Sequence, residues 1–232
     1  MTDTAYKARR GELETYFGKT AADKWVALTS NGPVSMIRET VREGRDAMRS
    51  TLLDWLPQDL TGARLLDAGC GPGMLSMEAA CRGADVVGVD LSSALIDVAN
   101  ERTPENLKSK ISYHAGDMTD PATGAFDFIV AMDSVIHYDL PHITELLGGF
   151  AARASKGLLF TFAPRTPMLA VMHAAGKAFP RNDRSPAIVP ISQKSIERAV
   201  ASAPKLNDFE IKHTHKISTA FYKSQAMELM AK

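Results

Sequence analysis

Apolar positions follow two different rhythms along the chain, and the change falls near residue 60. Before it, Val34, Ile37, Val41, Met48, Leu52 and Trp55 recur at steps of three, four and seven, the repeat of one helix face. Pro57 ends the run, because proline cannot continue a helix. The other face carries Arg38, Glu39, Arg42, Glu43, Arg45 and Asp46. Such a face is ordinarily solvated and ion-paired; the sharper alternative is that one arginine reaches back to an anionic ligand. Residues 1–60 therefore read as a helical unit preceding a second unit over 61–232.

From Ala63 onward short apolar runs alternate with helical patterns. The runs predict strands over 63–67, 85–90, 111–115, 126–132, 157–162, 208–216 and 219–230, the last of which also admits a partly helical reading. Helices fit at 74–82, 92–102, 141–153, 167–178 and 192–202. Alternation of this kind makes an α/β fold, a mostly parallel sheet with helices on both faces. The last two runs lack a helix between them and predict a terminal antiparallel pair. Ligands of open α/β sheets bind beyond the carboxyl ends of the strands, so those ends hold the candidate chemistry.

The first end is the most informative. Leu66-Asp67-Ala68-Gly69-Cys70-Gly71-Pro72-Gly73 joins an apolar run to the helical Met74-Leu75-Ser76 segment. Glycines let backbone approach a ligand and adopt positive φ without steric penalty, and a helix N-terminus adds unpaired amide donors. NAD, FAD and S-adenosylmethionine sites all begin this way. Two details favour S-adenosylmethionine. Asp67 would repel a pyrophosphate but accept from an ammonium, and Gly69-x-Gly71-x-Gly73 is one residue shorter than the dinucleotide spacing. Asp90, ending the second run, suits two ribose hydroxyls. After the third run, Asp117 suits an adenine amino group and Met118 the ring face, against the plainer reading of a turn-forming aspartate.

Composition narrows the field. The 232 residues are 45% apolar and 23% charged, with 27 basic and 27 acidic side chains. A net charge of zero provides no field to gather nucleic acid. Cys70 and Cys81 are the only cysteines, at opposite ends of a helix roughly 15 Å long, too far apart for a disulfide. A reducing, cytoplasmic location is expected, with no transmembrane segment and at most peripheral membrane attachment. Cys70 has no base near it in sequence and reads as a small residue filling the turn. No Cys/His cluster predicts a protein metal site. His114, His142, His173, His213 and His215 read as structural, whereas His137 follows the fourth strand, where reacting groups converge.

The glycine turn with Asp90 resembles the first two motifs of class I methyltransferases. The narrower segments Tyr16-Phe17, Asp23-Lys24-Trp25, Arg42-Glu43-Gly44, Met132-Asp133-Ser134-Val135-Ile136-His137-Tyr138, Phe162-Ala163-Pro164-Arg165-Thr166, Phe179-Pro180 and Phe221-Tyr222 resemble the magnesium-protoporphyrin IX O-methyltransferase family of chlorophyll and bacteriochlorophyll synthesis. The resemblance implies a Rossmann-like seven-stranded sheet under an N-terminal helical lid. It also implies methylation of one propionate carboxylate of the magnesium porphyrin, giving the monomethyl ester and S-adenosylhomocysteine, with magnesium entering only in the substrate. The cofactor residues expected are Asp67, Gly69, Cys70, Gly71, Asp90, Leu91, Asp117, Met118 and Met132. Those expected at the substrate are Tyr16, Phe17, Trp25, His137, Tyr138 and Arg165, with His137 the catalytic candidate, touching either the carboxylate or the magnesium. Hand-over from the large magnesium-chelatase subunit is a further implication. The cofactor motifs alone equally suit an O-methyltransferase of a quinone, phenol or small carboxylic acid, or a porphyrin carrier without turnover.

Overall fold

The seven apolar runs become one seven-stranded sheet in the computed structural model, which describes residues 9–14, 36–165 and 188–232. The strands are β1 (Arg64–Ala68), β2 (Asp85–Asp90), β3 (Ile111–Ala115), β4 (Phe126–Ala131), β5 (Ala154–Phe162), β6 (Phe209–Ser218) and β7 (Lys223–Ala231). Their order is β3-β2-β1-β4-β5-β7-β6. The first five pair in parallel, and the β6–β7 hairpin adds antiparallel along β5. The partly helical alternative for the last run is excluded, since β7 is strand through residues 223–231. Strand order reverses between β1 and β4, the switch point where such sheets open a crevice.

Six described helices flank the sheet: α1 (residues 9–14), α2 (Met36–Trp55), α3 (Met74–Cys81), α4 (Ser93–Arg102), α5 (Leu140–Ala151) and α6 (Gln193–Ser202). The expected helix over 167–178 lies outside the described residues. Side-chain caps set several starts. Ser92 accepts from the Leu95 amide, Asp139 from the His142 amide and Ser192 from the Ser195 amide, each satisfying a donor that the first turn leaves open.

Two apolar cores cover the two sheet faces. On one, Ile143, Leu147 and Phe150 of α5 and Ile196 of α6 pack against Ile129 and Phe160. On the other, Met48, Leu52 and Leu53 of α2 and Ala79 of α3 pack against Leu65, Val130 and Leu159. Burial on both faces explains why the central strands are continuously apolar. The α2 stripe is buried only from Gly44 onward, and Ile37 is 53% exposed rather than packed. Contact between α2 and the β6–β7 hairpin includes Thr40, whose carbonyl accepts from Thr219 Oγ1; Ile37 lies in the turn before it.

Candidate active site

The carboxyl ends of β1, β2 and β4 meet around the glycine turn. Gly69, Gly71 and Gly73 have φ of 85°, 52° and 79°, conformations that side chains rarely adopt. A Cβ at Gly69 would stand 2.4 Å from Ser134 Cβ, and one at Gly73 2.3 Å from Tyr113 Oη. The turn is tied to β2 twice. Val89 O accepts from the Gly69 and Cys70 amides at 2.8 and 3.1 Å. Asp90 then accepts from the Gly71 amide through Oδ2 and from the Ser92 amide through Oδ1, both at 2.9 Å. Each Asp90 oxygen keeps a further lone pair for a ligand.

Asp67 is 2% exposed and accepts from Ser76 Oγ at 2.7 Å. Burial, opposed by the Ser76 bond and reinforced by the Asp90 charge, pushes its carboxyl up to about 7. Asp90 is also raised by burial, with the Ser92 and Gly71 amides pulling the other way. Two acids held near the glycine turn in this way favour a ligand that brings positive charge and hydroxyl donors. Cys70 is a free, buried thiol raised well above its ordinary value, mainly by burial.

Two adjoining cavities run along this edge. The first, of about 760 Å³, is lined by Asp90, Leu91, Asp117, Met118, His137 and Tyr138. The second, of about 800 Å³, is lined by Asp67 and by Arg42, Arg45, Asp46 and Arg49 of α2. Arg45, Gly69, Cys70, Pro72 and Met132 belong to both walls. A nucleoside fits against the acids and apolar side chains of the first cavity. An attached amino-acid group fits beside the acid and arginines of the second. At Gly71 a Cβ would meet no atom of the described residues within 4 Å, which leaves room there for a ligand. Ser134 Oγ, on the first cavity wall, is buried with no hydrogen-bond partner among the described residues. An orphaned hydroxyl costs about 1–3 kcal/mol, which a ligand acceptor would offset.

The described N-terminal helix crosses the first cavity. Arg10 Nη1 pairs with Asp117 Oδ2 at 2.8 Å, and Arg9 Nε donates to the His137 carbonyl at 3.1 Å. Leu13, 3% exposed, completes the wall between them. Asp117 thus carries a guanidinium as well as the Thr119 amide and hydroxyl on Oδ1.

Of the residues singled out from sequence, Gly69, Cys70, Gly71, Asp67, Asp90, Leu91, Asp117, Met118, Met132, His137 and Tyr138 all stand in these walls, whereas Gly73 does not. His137 is 8% exposed on the helical turn Val135–His137. Arg165 is exposed and lines neither cavity; its amide donates to Ile191 O. Tyr16, Phe17 and Trp25 lie outside the described residues. Among the described residues no cluster of three or more His, Cys, Asp and Glu side chains is placed to hold a metal ion.

Sequence reasoning passed over Arg45, Asp133, Ser134 and Tyr222 as individual site residues. Arg45 reaches back as the sharper reading of its face allowed, but onto a carboxylate of the protein: Nη1 lies 3.0 Å from Asp133 Oδ2. Tyr222 Oη donates to both Asp133 oxygens at 3.0 and 3.1 Å. Burial and then the Asp133 charge drive the Tyr222 hydroxyl far above the ordinary phenol range. The available signals were the Arg42-Glu43-Gly44 and Phe221-Tyr222 segments, noted only as resemblances.

Comparison with known proteins agrees with this geometry. A family model described as magnesium-protoporphyrin IX methyltransferase C-terminus matches residues 131–231, and a methyltransferase domain model matches 65–157. A magnesium-protoporphyrin O-methyltransferase of Rhodobacter capsulatus is 45% identical over 224 residues, covering 96% of this chain and 97% of its own. One from Synechocystis is 29% identical, covering 93% and 94%. The crystal structure of magnesium protoporphyrin IX methyltransferase from Synechocystis PCC 6803 with bound SAH superposes with a TM-score of 0.84 at 27% identity, covering 97% of this chain and 100% of that one.

Proposed function

The chain belongs to the magnesium-protoporphyrin O-methyltransferase family, and on that premise we propose that it transfers a methyl group from S-adenosylmethionine to one propionate carboxylate of magnesium-protoporphyrin IX. The observation that carries the reading is 45% identity extending through nearly the whole chain. S-adenosylmethionine, when bound, supplies a methyl group activated by a sulfonium. The residues that would hold it are Asp67 at the ammonium, Asp90 at the ribose and Asp117 at the adenine amino group. Leu91, Met118 and Met132 would supply apolar contact, and the glycine turn, with Cys70 in it, close backbone approach.

The remaining chemistry concerns the acceptor. A propionic acid resembles a glutamate side chain, with a pKa of about 4.3, and is ionised at neutral pH. No base is needed to activate it, so His137 does not remove a proton. It donates a hydrogen bond to the carboxylate and aims one oxygen, while Tyr138 forms the apolar wall behind it. Positioning of this kind supplies roughly 7–11 kcal/mol in favourable cases. Excluding water from the carboxylate adds to it, and what supports a covering role for residues 1–60 is the seat of Arg9, Arg10 and Leu13 across the cavity. Tyr16, Phe17, Trp25 and Arg165 complete the proposed substrate contacts, on the family resemblance.

The test is incubation of the protein with methyl-labelled S-adenosylmethionine and, in parallel, magnesium-protoporphyrin IX or a phenolic quinone precursor. One labelled methyl on one pigment carboxylate is expected. Label on the phenol alone would move the enzyme to another acceptor class, and bound pigment without product would make it a carrier. Delivery by the large magnesium-chelatase subunit and peripheral membrane attachment extend the reading, supported by the resemblance. No described helix is long and apolar enough to cross a membrane.

A further inference from the structure

Asp133 is the one non-glycine residue with positive φ among the described residues, at 53°. It stands two residues beyond the end of β4 and begins the turn that carries Ser134 and His137 into the cofactor cavity. Glycine is the residue that adopts this conformation most easily. Aspartate is among the few side chains that enter it, held by hydrogen bonds, and the Asp133 carboxylate accepts several.

Its carboxylate, 5% exposed, gathers three elements of the fold. Thr161 on β5 donates to Oδ1 at 3.1 Å and accepts the Asp133 amide at 2.7 Å, closing a small ring around the turn. Tyr222 donates to both oxygens and Ser224 to Oδ1 at 3.2 Å, which brings in β7 of the hairpin. Arg45 brings in α2 through the ion pair on Oδ2. The helix is shaped for this contact: at Gly44, next to Arg45, a Cβ would stand 2.5 Å from Tyr222 Cδ1. A mid-helix glycine is normally unfavourable, and here it is what admits the phenol ring. On the other side, Ser134 presses against Gly69, so the turn has little room to shift without leaving the cavity wall.

The geometry points to Asp133 as a positioning residue for methyl transfer: its carboxylate, held by Tyr222, Ser224, Thr161 and Arg45, fixes the turn that presents Ser134 and His137 to the acceptor. The role rests on the methyl-transfer reading above. The groups that would hold the nucleoside end of the cofactor, the accepting Asp90 carboxylate and the glycine turn, are tied to β2 by hydrogen bonds that do not involve Asp133. Loosening the Asp133 cluster therefore disturbs the acceptor more than the cofactor.

Two substitutions separate backbone from carboxylate. Asp133→Gly accepts φ of 53° freely and loses the carboxylate. Tyr222→Phe keeps the ring against Gly44 and removes only the hydroxyl donated to Asp133. Wild type and both variants are titrated with S-adenosylhomocysteine and assayed with magnesium-protoporphyrin IX. Wild-type product reports on the methyl-transfer reading, and the variant-to-wild-type ratio reports on Asp133. The expected result is S-adenosylhomocysteine affinity within about threefold of wild type, with kcat falling about tenfold in Tyr222→Phe and about a hundredfold in Asp133→Gly. Full turnover of Asp133→Gly would make the residue a turn former only and overturn the role. So would equal losses of affinity and turnover, which would assign the cluster to the cofactor or the fold. Should Asp133→Gly not fold, Tyr222→Phe alone decides between the same outcomes.

Discussion

Cofactor affinity should rise with pH across neutrality because of Asp67. Burial holds this carboxyl at about 7 in the empty protein, so about one molecule in eleven is ionised at pH 6 and about ten in eleven at pH 8. An ammonium arriving beside Asp67 binds the carboxylate and lowers its pKa, so binding below pH 7 expels a proton. The affinity for S-adenosylhomocysteine should then increase about tenfold from pH 6 to pH 8, equivalent to about 1.4 kcal/mol. Titration calorimetry in buffers of different ionisation heat should detect release of about 0.9 proton at pH 6 and about 0.1 at pH 8. Asp67→Asn should bind more weakly and lose the pH dependence. The raised pKa also means that the empty protein is most stable with Asp67 protonated. That contribution is complete below the ordinary value of 3.8 and is lost as the pH rises through about 7. A flat affinity over pH 6–8, or the same slope in Asp67→Asn, would refute the placement of the ammonium at Asp67.

Three other outcomes follow from the site. His137→Ala should lower kcat at least tenfold and leave S-adenosylhomocysteine affinity within about threefold; an equal loss of binding would remove it from the acceptor side. Gly69→Ala combines φ of 85° with a Cβ 2.4 Å from Ser134, and should cost about 1–3 kcal/mol of stability in thermal melts together with cofactor binding; a wild-type melting temperature would contradict the close packing. A thiol reagent should label Cys81 rapidly and Cys70 only on unfolding, since the first is exposed and the second buried with its pKa raised; rapid labelling of both would show that the glycine turn opens.

Much of the fold was legible because the sheet writes itself locally. Leu65 and Leu66 in β1, and Val86, Val87 and Val89 in β2, are apolar runs bounded by Asp67 and Asp90, and a strand buried on both faces needs no more than that. The glycine turn was legible for the same reason, its residues being neighbours in sequence. What stayed hidden depends on partners far apart. Tyr222 and Asp133 are 89 residues apart, Arg10 and Asp117 are 107, and Arg9 and His137 are 128. No periodicity in α2 distinguishes Arg45 from Arg38 or Arg42, because the choice is made by which helix turn faces the end of β4. The left-handed turn at Asp133 was hidden too, as nothing in Met132-Asp133-Ser134 requires positive φ without the donors that surround the carboxylate.

The central claim is that an ionised carboxylate is methylated at this site by positioning, with no base. Single-turnover methyl transfer to magnesium-protoporphyrin IX, with cofactor and pigment saturating, tests it most directly over pH 6–9. The account predicts a rate that varies less than about twofold, with one methyl ester as the pigment product, because the acceptor's pKa of about 4.3 lies below the whole range. A rate that climbs about fourfold from pH 6 to a plateau, through an apparent pKa near that of histidine, about 6.5, and is flattened in His137→Gln, would make His137 a general base and contradict the account.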